Sequence, residues 1–297
     1  MLRKIKIILL VILSMTIFGI LWSLFSHRMP WQVPDMMDKQ LTILTFNTQG
    51  MAIHLSKDKK LEMLNHINSL DADIVCLQEV LVHKDENRFT LSMLREAMDQ
   101  YPYTYYDFKV YNSQLQFGNV VFSRYPLINK QTIQFPSKSN ISSQCDVLAH
   151  GDTLRLIINH LESFHLDDNK DKYQKDIANN NEEPSLSRKL FRATRLRNKQ
   201  VTALLETIEE SPHPVIAVGD FNSHPLSLAY SRINTKMRDC FAESSFGRYG
   251  STFHRKALHA RIDYIFASKC LTPISCRVIE EEYSDHDPVI GTIGWSD

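Results

Sequence analysis

The sequence predicts an α/β domain in which one sheet packs on another and helices lie outside, and three observations support this fold class. Short apolar segments outnumber the segments with helical periodicity. The helical segments lie between the apolar ones along the chain. Polar residues directly follow several apolar segments, which is typical of loops that a rigid sheet holds in place.

The short apolar segments are predicted to be strands. They cover 41–46, 74–77, 120–122, 154–158, 215–218, 262–266 and 289–293. The first helix is predicted over 58–70, because Leu61, Leu64 and Ile67 recur on one face, and the second is predicted over 187–210 on the same grounds. The polar segment 167–184 is predicted to be an exposed insertion that either borders the site or has no role.

The composition limits the classes of function. The chain has 297 residues, of which 43% are hydrophobic, enough for one large domain with a full core. It has 34 basic and 34 acidic residues. Because three of the basic ones lie at or near the first apolar run, the remainder is mildly acidic, which weakly disfavours a polyanionic substrate. The five cysteines are scattered and odd in number, so we expect structural cysteines and no disulfide framework.

An uncharged apolar run at 7–25 has the length of a transmembrane helix. Arg3, Lys4 and Lys6 precede it, so the positive-inside rule predicts a cytoplasmic N-terminus at 1–6. A proline-containing linker at 26–40 then leads to the domain at 41–297, on the non-cytoplasmic side of a single-pass membrane protein. The alternative is a cleaved signal peptide, which we disfavour because the run is long and the cleavage site after it is poor.

Six polar motifs stand in a fixed order along the domain, and each is at or just after a predicted strand or turn. Together they supply carboxylates, amides and two histidines, which suits metal-assisted attack of water on a phosphate ester. They are Leu44-Thr45-Phe46-Asn47, Leu77-Gln78-Glu79-Val80, Asn159-His160-Leu161-Glu162, Gly219-Asp220-Phe221-Asn222, Arg261-Ile262-Asp263-Tyr264 and Tyr283-Ser284-Asp285-His286-Asp287-Pro288.

The ordered set resembles the endonuclease/exonuclease/phosphatase superfamily over about residues 41 to 297, although each motif alone is weak. The segment 118–126 also resembles the strand and turn before that family's central histidine. The resemblance implies a four-layer α/β/β/α sandwich of two packed mixed sheets, with the site at one rim. It also implies a divalent cofactor, Mg²⁺ or in its place Mn²⁺, which oxygen ligands favour over zinc.

The resemblance also implies roles for individual residues. Glu79 corresponds to the principal metal ligand, with Asn47 and Asp285 nearby. His286 corresponds to the histidine that Asp263 orients, and His160, Asp220 and Asn222 correspond to the groups around the scissile phosphate. From the residues alone, either His286 or Asp220 is the base that takes the proton from water, with His286 the leading candidate.

Two departures from the family pattern concern supporting positions. Ser223-His224-Pro225 follows the Gly-Asp-Phe-Asn motif where Asp-x-Pro is common, and Ile158-Asn159 precedes the central histidine where Asn-Thr is common. The first departure is expected to alter substrate contacts and the second a supporting hydrogen bond. Neither removes a residue with an assigned role.

The sequence therefore predicts a membrane-anchored, metal-dependent phosphoesterase acting on a phospholipid or small phosphoester, with no protein partner. One alternative is a nuclease acting on DNA or RNA, for which the basic stretch at 189–199 is either a contact surface or a solvated helix face. The second alternative is an inactive binding module on the same scaffold. Four tyrosines at 101–106 are assigned to sheet-edge packing rather than ligand stacking. The remaining histidines, His254 and His259 among them, are assigned no role.

Overall fold

The computed structural model describes residues 37–110, 112–135, 141–164, 186–244, 250–255 and 258–296. The apolar run at 7–25, most of the linker and the polar insertion at 167–184 lie outside these residues. Within the described part of the chain, the helices are too short or too polar to traverse a lipid bilayer.

The first of two large sheets contains the N-terminal and C-terminal strands. Its members are β1 (Lys39–Asn47), β2 (Ile74–His83), β3 (Tyr103–Val110), β4 (Leu115–Ser123), β13 (Thr272–Val278) and β14 (Val289–Trp295). Their spatial order is β13-β14-β1-β2-β4-β3. The β1–β2 pair is parallel and its neighbours are antiparallel, so this sheet is mixed.

The second sheet comes from the middle of the chain and is also mixed. Its members are β5 (Leu127–Ile133), β6 (Ser142–Ala149), β7 (Asp152–His160), β8 (Val215–Asp220), β9 (Met237–Asp239) and β12 (Asp263–Ser268). The order is β5-β6-β7-β8-β12-β9, and β7 and β8 are the parallel pair. A separate two-stranded ribbon, β10 (Phe253–Arg255) with β11 (Leu258–Ala260), lies between β9 and β12 in the sequence.

The helices lie in the connections between strands. They are α1 (Gln49–Ala52), a short kinked turn, followed by α2 (Lys57–Ser69), α3 (Leu91–Ala97), α4 (Leu186–Glu209), α5 (Leu228–Lys236) and α6 (Cys240–Ser244). Helix α2 begins where the side chain of Ser56 accepts a hydrogen bond from the backbone of Lys59, a typical N-cap. Both long helices lie within one residue of their predicted bounds.

Three hydrophobic clusters define the layers. The central cluster joins the inner faces of both sheets, with Ile43 and Cys76 from one and Ile158 and Val218 from the other. A second cluster packs α2 and α3 on the outer face of the first sheet. A third packs α4 and α5 on the outer face of the second. The structure is therefore the predicted α/β/β/α arrangement of two packed mixed sheets.

Burial on both faces explains why the central strands could be recognised. In β1, Ile43 contributes to the central cluster, whereas Leu44 and Phe46 contribute to the outer one. A strand covered on both sides has no polar face, so it is read as a continuous apolar run. The domain starts slightly earlier than predicted, because β1 begins at Lys39 instead of residue 41.

Four of the five cysteines are buried, as predicted for structural residues, and two of the four tyrosines pack as predicted. All five cysteines are free thiols, of which only Cys270 is exposed. Tyr101 is buried and donates a hydrogen bond to the carbonyl oxygen of Ala72, and Tyr106 stacks on Phe108 beside it in the edge strand β3. These tyrosines therefore contribute to sheet-edge packing.

Candidate active site

The site lies at the rim where strands of both sheets end. Strand β1 ends at Asn47, β7 at His160 and β8 at Asp220. The registers place His160 beside Asp220 and Asp220 beside Asp263, the first residue of β12. The second sheet therefore presents a histidine and two carboxylates in one row.

Glu79 reaches the site through an irregularity in β2. The β2–β4 register shifts between Leu77 and Val80, and Glu79 has a positive φ of 53°. A bulge of this kind redirects a side chain out of the alternating pattern of a strand. The Glu79 carboxylate lies 3.4 Å from Asn47 Nδ2 and 3.3 Å from His160 Nε2, and the residue is 8% exposed. The first sheet thus places the Glu79 carboxylate next to His160, Asp220 and Asp263 of the second sheet.

Gly219 allows the two parallel strands to meet closely at this rim. Its φ is +123°, a conformation that side chains rarely permit, and a Cβ placed there would lie 2.0 Å from the carbonyl oxygen of Asn159. Only glycine fits here. This glycine therefore fixes the position of Asp220 at the end of β8.

Asp220 is the centre of the polar network. Its Oδ2 accepts hydrogen bonds from Asn47 Nδ2 and Asn222 Nδ2, each at 3.0 Å, and its Oδ1 accepts one from the Asn222 backbone at 2.8 Å. Burial and the charge of Asp263 raise the pKa of Asp220 to about 7, although His286, Asn222 and Asn47 oppose the shift. Burial and the neighbouring charge thus make Asp220 more basic than an exposed aspartate.

His286 and Asp263 form the predicted pair. His286 Nδ1 lies 2.9 Å from Asp263 Oδ2, and its Nε2 lies 3.8 Å from Asp220 Oδ2. Burial by itself lowers the pKa of His286, but Asp263, and to a smaller extent Asp220 and Asp285, raise it to about 10. The imidazole is therefore oriented through Nδ1, and its Nε2 faces the other carboxylate.

Asn222 and Asp285 are placed near the site. Asn222 Nδ2 donates to the carbonyl oxygen of Leu161 at 2.9 Å as well as to Asp220, so this amide braces the strand ends. Asp285 raises the pKa of its neighbour His286. Contact of either residue with substrate or metal stays a prediction.

The donor set fits a hard divalent cation. Three carboxylates, from Glu79, Asp220 and Asp263, are buried together, and the amide of Asn47 lies between two of them. Asp263 Oδ1 is buried and has no hydrogen-bond partner among the residues that the structure describes. Asp220, Asp263 and His286 also offer ligand atoms within 4.8 Å of one another. Buried negative charge with open oxygen atoms is the environment that Mg²⁺ or Mn²⁺ favours.

Sequence reasoning missed several residues that support the site. Ser284 Oγ donates to the carbonyl oxygen of Asn47 and so ties the two sequence-distant loops together. Arg197 and Gln200 of α4 hold the backbone oxygen and nitrogen of Glu162, just after His160. Ser284 lies inside one of the six motifs, so its position in the sequence could have indicated a role at the site. The contacts from α4 join residues that are far apart in the sequence, so no local sequence pattern indicated them.

Thr252 is the other missed residue, and its effect is testable. Its Oγ1 donates to Asp263 Oδ2 at 2.7 Å and accepts from the backbones of Ile262 and Asp263 at 3.0 Å. Thr252→Val keeps the shape and removes the hydroxyl. We expect about 1–3 kcal/mol lower unfolding free energy and a lower kcat, because Asp263 loses a fixed donor. Thr252→Ser should recover both, and equal losses in the two variants would show that the hydroxyl is not the cause.

Comparison with known proteins agrees with this geometry. The sequence model of the endonuclease/exonuclease/phosphatase family matches residues 44–286. The chain therefore belongs to this family, whose members hydrolyse phosphoester bonds. No curated protein sequence matches the chain.

Several solved structures share the fold. An endonuclease/exonuclease/phosphatase from Beutenbergia cavernae is 17% identical, with a TM-score of 0.68, covering 87% of this chain and 72% of that one. TDP2 from D. rerio, complexed with a single-strand DNA product, is 19% identical with a TM-score of 0.62, covering 86% and 99%. The catalytic domain of human nocturnin, with bound sulfate, is 15% identical with a TM-score of 0.62, covering 88% and 96%. At these identities the likeness concerns the fold alone.

Proposed function

We propose that this protein is a divalent-metal-dependent phosphoesterase that hydrolyses its substrate by direct attack of water. The observation that carries the proposal is the buried row of Asp220, His286 and Asp263 beside Glu79 and His160. Such a concentration of buried carboxylates and imidazoles is typical of catalytic sites. The members of its family also act on phosphoester bonds.

The metal site comprises Glu79 as the principal ligand, with Asn47 and Asp285 beside it. When bound, Mg²⁺ or Mn²⁺ neutralises negative charge on the phosphate and stabilises the leaving oxygen. Asn47 Nδ2 faces Glu79 and Asp220, and its Oδ1 accepts a hydrogen bond from the backbone of Gln49. Asn47 therefore also holds the two carboxylates at a fixed separation.

In this proposal Asp220 is the proton acceptor, in place of His286, which the sequence favoured, and His286 donates a hydrogen bond to the phosphate. Burial and the charge of Asp263 raise the pKa of Asp220, which makes its carboxylate more basic, as a general base requires. His286, with a pKa of about 10, is an imidazolium near neutral pH. Its Nε2–H is therefore placed to hydrogen bond with a phosphate oxygen, while Asp263 holds Nδ1.

His160 completes the anion-binding part of the site. Its Nε2 lies at the Glu79 carboxylate, and its backbone nitrogen donates to the carbonyl oxygen of Ile141, which fixes the end of β7. A histidine held in this way supplies a donor for charge that develops on the phosphate during attack. Asn222 donates both amide hydrogens to Leu161 and Asp220, so its part is to hold Asp220 beside the phosphate.

The substrate class we favour is a phospholipid or a small phosphoester. The near-neutral charge of the chain and the apolar run at 7–25 support this choice. In the same proposal, that run anchors a single-pass protein whose catalytic domain lies outside the cytoplasm. These properties bring the site to a membrane surface, where phospholipid esters are concentrated.

A nuclease is the second candidate, and one surface favours it. Helices α4 and α5 form a groove lined by the cationic side chains of Arg195, Lys199 and Arg232 and by Phe191, which is 73% exposed. Basic residues with an exposed aromatic ring suit single-stranded nucleic acid. TDP2 from D. rerio, a structural neighbour, was crystallised with a single-strand DNA product.

The test is hydrolysis by the full-length protein of supercoiled plasmid, sphingomyelin vesicles and a p-nitrophenyl phosphate monoester, each with Mg²⁺ and with EDTA. We expect hydrolysis of at least one ester that EDTA abolishes. Glu79→Gln, which keeps the size of the side chain, should lose most activity and weaken Mg²⁺ binding in calorimetry, because a charged ligand is removed.

The substrate panel separates the candidates. Plasmid nicking that depends on Glu79 would make the protein a nuclease and overturn the lipid preference. Hydrolysis of sphingomyelin or the monoester alone would support that preference. A folded protein that binds Mg²⁺ and cleaves none of the three would favour the binding-module alternative.

A further inference from the structure

Two histidines of the β10–β11 ribbon face each other. His254 and His259 occupy directly opposed positions in the antiparallel register, and their Nδ1 atoms lie 2.8 Å apart. Their rings are at 66° to each other, in an edge-on arrangement. Two ring nitrogens at this distance share one proton, because at least one nitrogen must donate and the other must present a lone pair.

A buried carboxylate fixes which nitrogen of His254 faces its partner. His254 Nε2 lies 2.5 Å from Asp287 Oδ2, and the Asp287 side chain is 5% exposed. The other oxygen of Asp287 accepts a hydrogen bond from the backbone of Glu281 at 3.1 Å. The carboxylate therefore orients His254 through Nε2 and directs Nδ1 toward His259.

We propose that His254 and His259 bind a zinc-class transition-metal ion through their Nδ1 atoms. Two imidazole nitrogens favour Zn²⁺, Ni²⁺ or Cu²⁺ over Mg²⁺. Histidine ligands commonly donate their other ring N–H to a carboxylate, and Asp287 holds His254 in that way. Two nitrogens bound tetrahedrally at ~2.0–2.1 Å are about 3.3 Å apart, so a small rotation of exposed His259 from 2.8 Å is sufficient.

Binding replaces the shared proton with the metal ion. The proton between the two Nδ1 atoms passes through solvent to Nε2 of His259, so both imidazoles stay neutral, both Nδ1 lone pairs become ligands, and water fills the remaining coordination positions at the exposed side of the ribbon. With two protein ligands, the site is open, so its affinity should be lower than that of closed four-ligand structural zinc sites.

This site is distinct from the carboxylate site. Phe253 pairs with His286 in an isolated bridge, and the two rings lie 5.0 Å apart. Because neighbouring side chains on a strand point to opposite faces, His254 faces away from His286. The same ribbon begins just after Thr252, which holds Asp263. An ion that links β10 to β11 would therefore stabilise the segment that supports the catalytic pair.

The test is calorimetric titration of the full-length protein with ZnCl₂ in excess Mg²⁺, so that the carboxylate site does not contribute. We expect one Zn²⁺ per chain, detected as a saturable heat of binding. Zn²⁺ should also raise the melting temperature. His259→Gln and His254→Gln should each abolish both effects, and Asp287→Asn should weaken binding by about 10–100-fold.

His213→Gln is the matched control, since His213 precedes β8 at the end opposite Asp220. It should bind Zn²⁺ like the wild type. Because His259 is exposed, its variant should keep the wild-type circular dichroism spectrum. Absence of zinc binding in the wild type, or binding that survives either histidine substitution, would overturn the proposal.

Discussion

Replacing His286 by alanine should lower kcat by about 10²–10³-fold, the range for loss of one positioned hydrogen-bond donor to developing charge. The ring is held between Asp263 at 2.9 Å and Asp220 at 3.8 Å, and its removal deprives the phosphate of its donor. KM should change much less, since the interaction strengthens in the transition state. The measurement is steady-state kinetics on the ester that the wild type hydrolyses.

Two variants separate loss of chemistry from loss of fold. His213→Ala removes a histidine that is remote from the site and should leave kcat unchanged. Asp263→Asn should reduce kcat less than His286→Ala, because the imidazole remains but loses its charged partner. Circular dichroism should show His286→Ala folded. Wild-type turnover in that folded variant would remove His286 from the mechanism.

Replacing Asp239 by alanine should lower the free energy of unfolding by about 3–5 kcal/mol, the cost of breaking a buried ion pair. Asp239 Oδ2 lies 2.7 Å from Arg261 Nη1, and both residues are buried. Tyr230 also donates to this oxygen at 2.8 Å, and the rings of Phe241 and Tyr264 lie within about 5 Å of the guanidinium. Without Asp239 a full charge is left unpaired among aromatic rings.

The neighbouring ion pair is the internal control. Arg238 and Glu243 are partly exposed, so Glu243→Ala should cost about 1 kcal/mol or less. Urea denaturation of both variants and the wild type gives the comparison. An Asp239→Ala variant within 1 kcal/mol of the wild type would mean that Arg261 finds another partner or reaches water.

The strands that sequence reasoning identified are those buried on both faces. Strand β8 is buried throughout and was recognised as a run of apolar residues. Strand β5 was missed because it is an edge strand whose central residues are exposed and polar. Helix α5 was missed because in its nine residues only Ala229 and Ile233 are buried, too few to give a clear period.

The site was predictable where position along a strand determines position in space. Asn47, His160 and Asp220 end their strands, so their convergence follows from the topology. The bulge that turns Glu79 inward depends on pairing with β4, which the sequence does not reveal. The pairing of His254 with His259 depends on the ribbon register and on the burial of Asp287. Both were therefore beyond local pattern reasoning.

The contacts between Asn47 and Asp220 and between Glu79 and His160 each join one sheet to the other. The candidate site thus lies between the two sheets, and its dimensions depend on how the apolar side chains between the sheets pack. Ile158 and Cys76 belong to this layer and lie outside the polar site. Such residues set the distance between the polar side chains of one sheet and those of the other. A substitution in this interior layer could therefore change the spacing of the polar residues without changing any of the polar residues themselves.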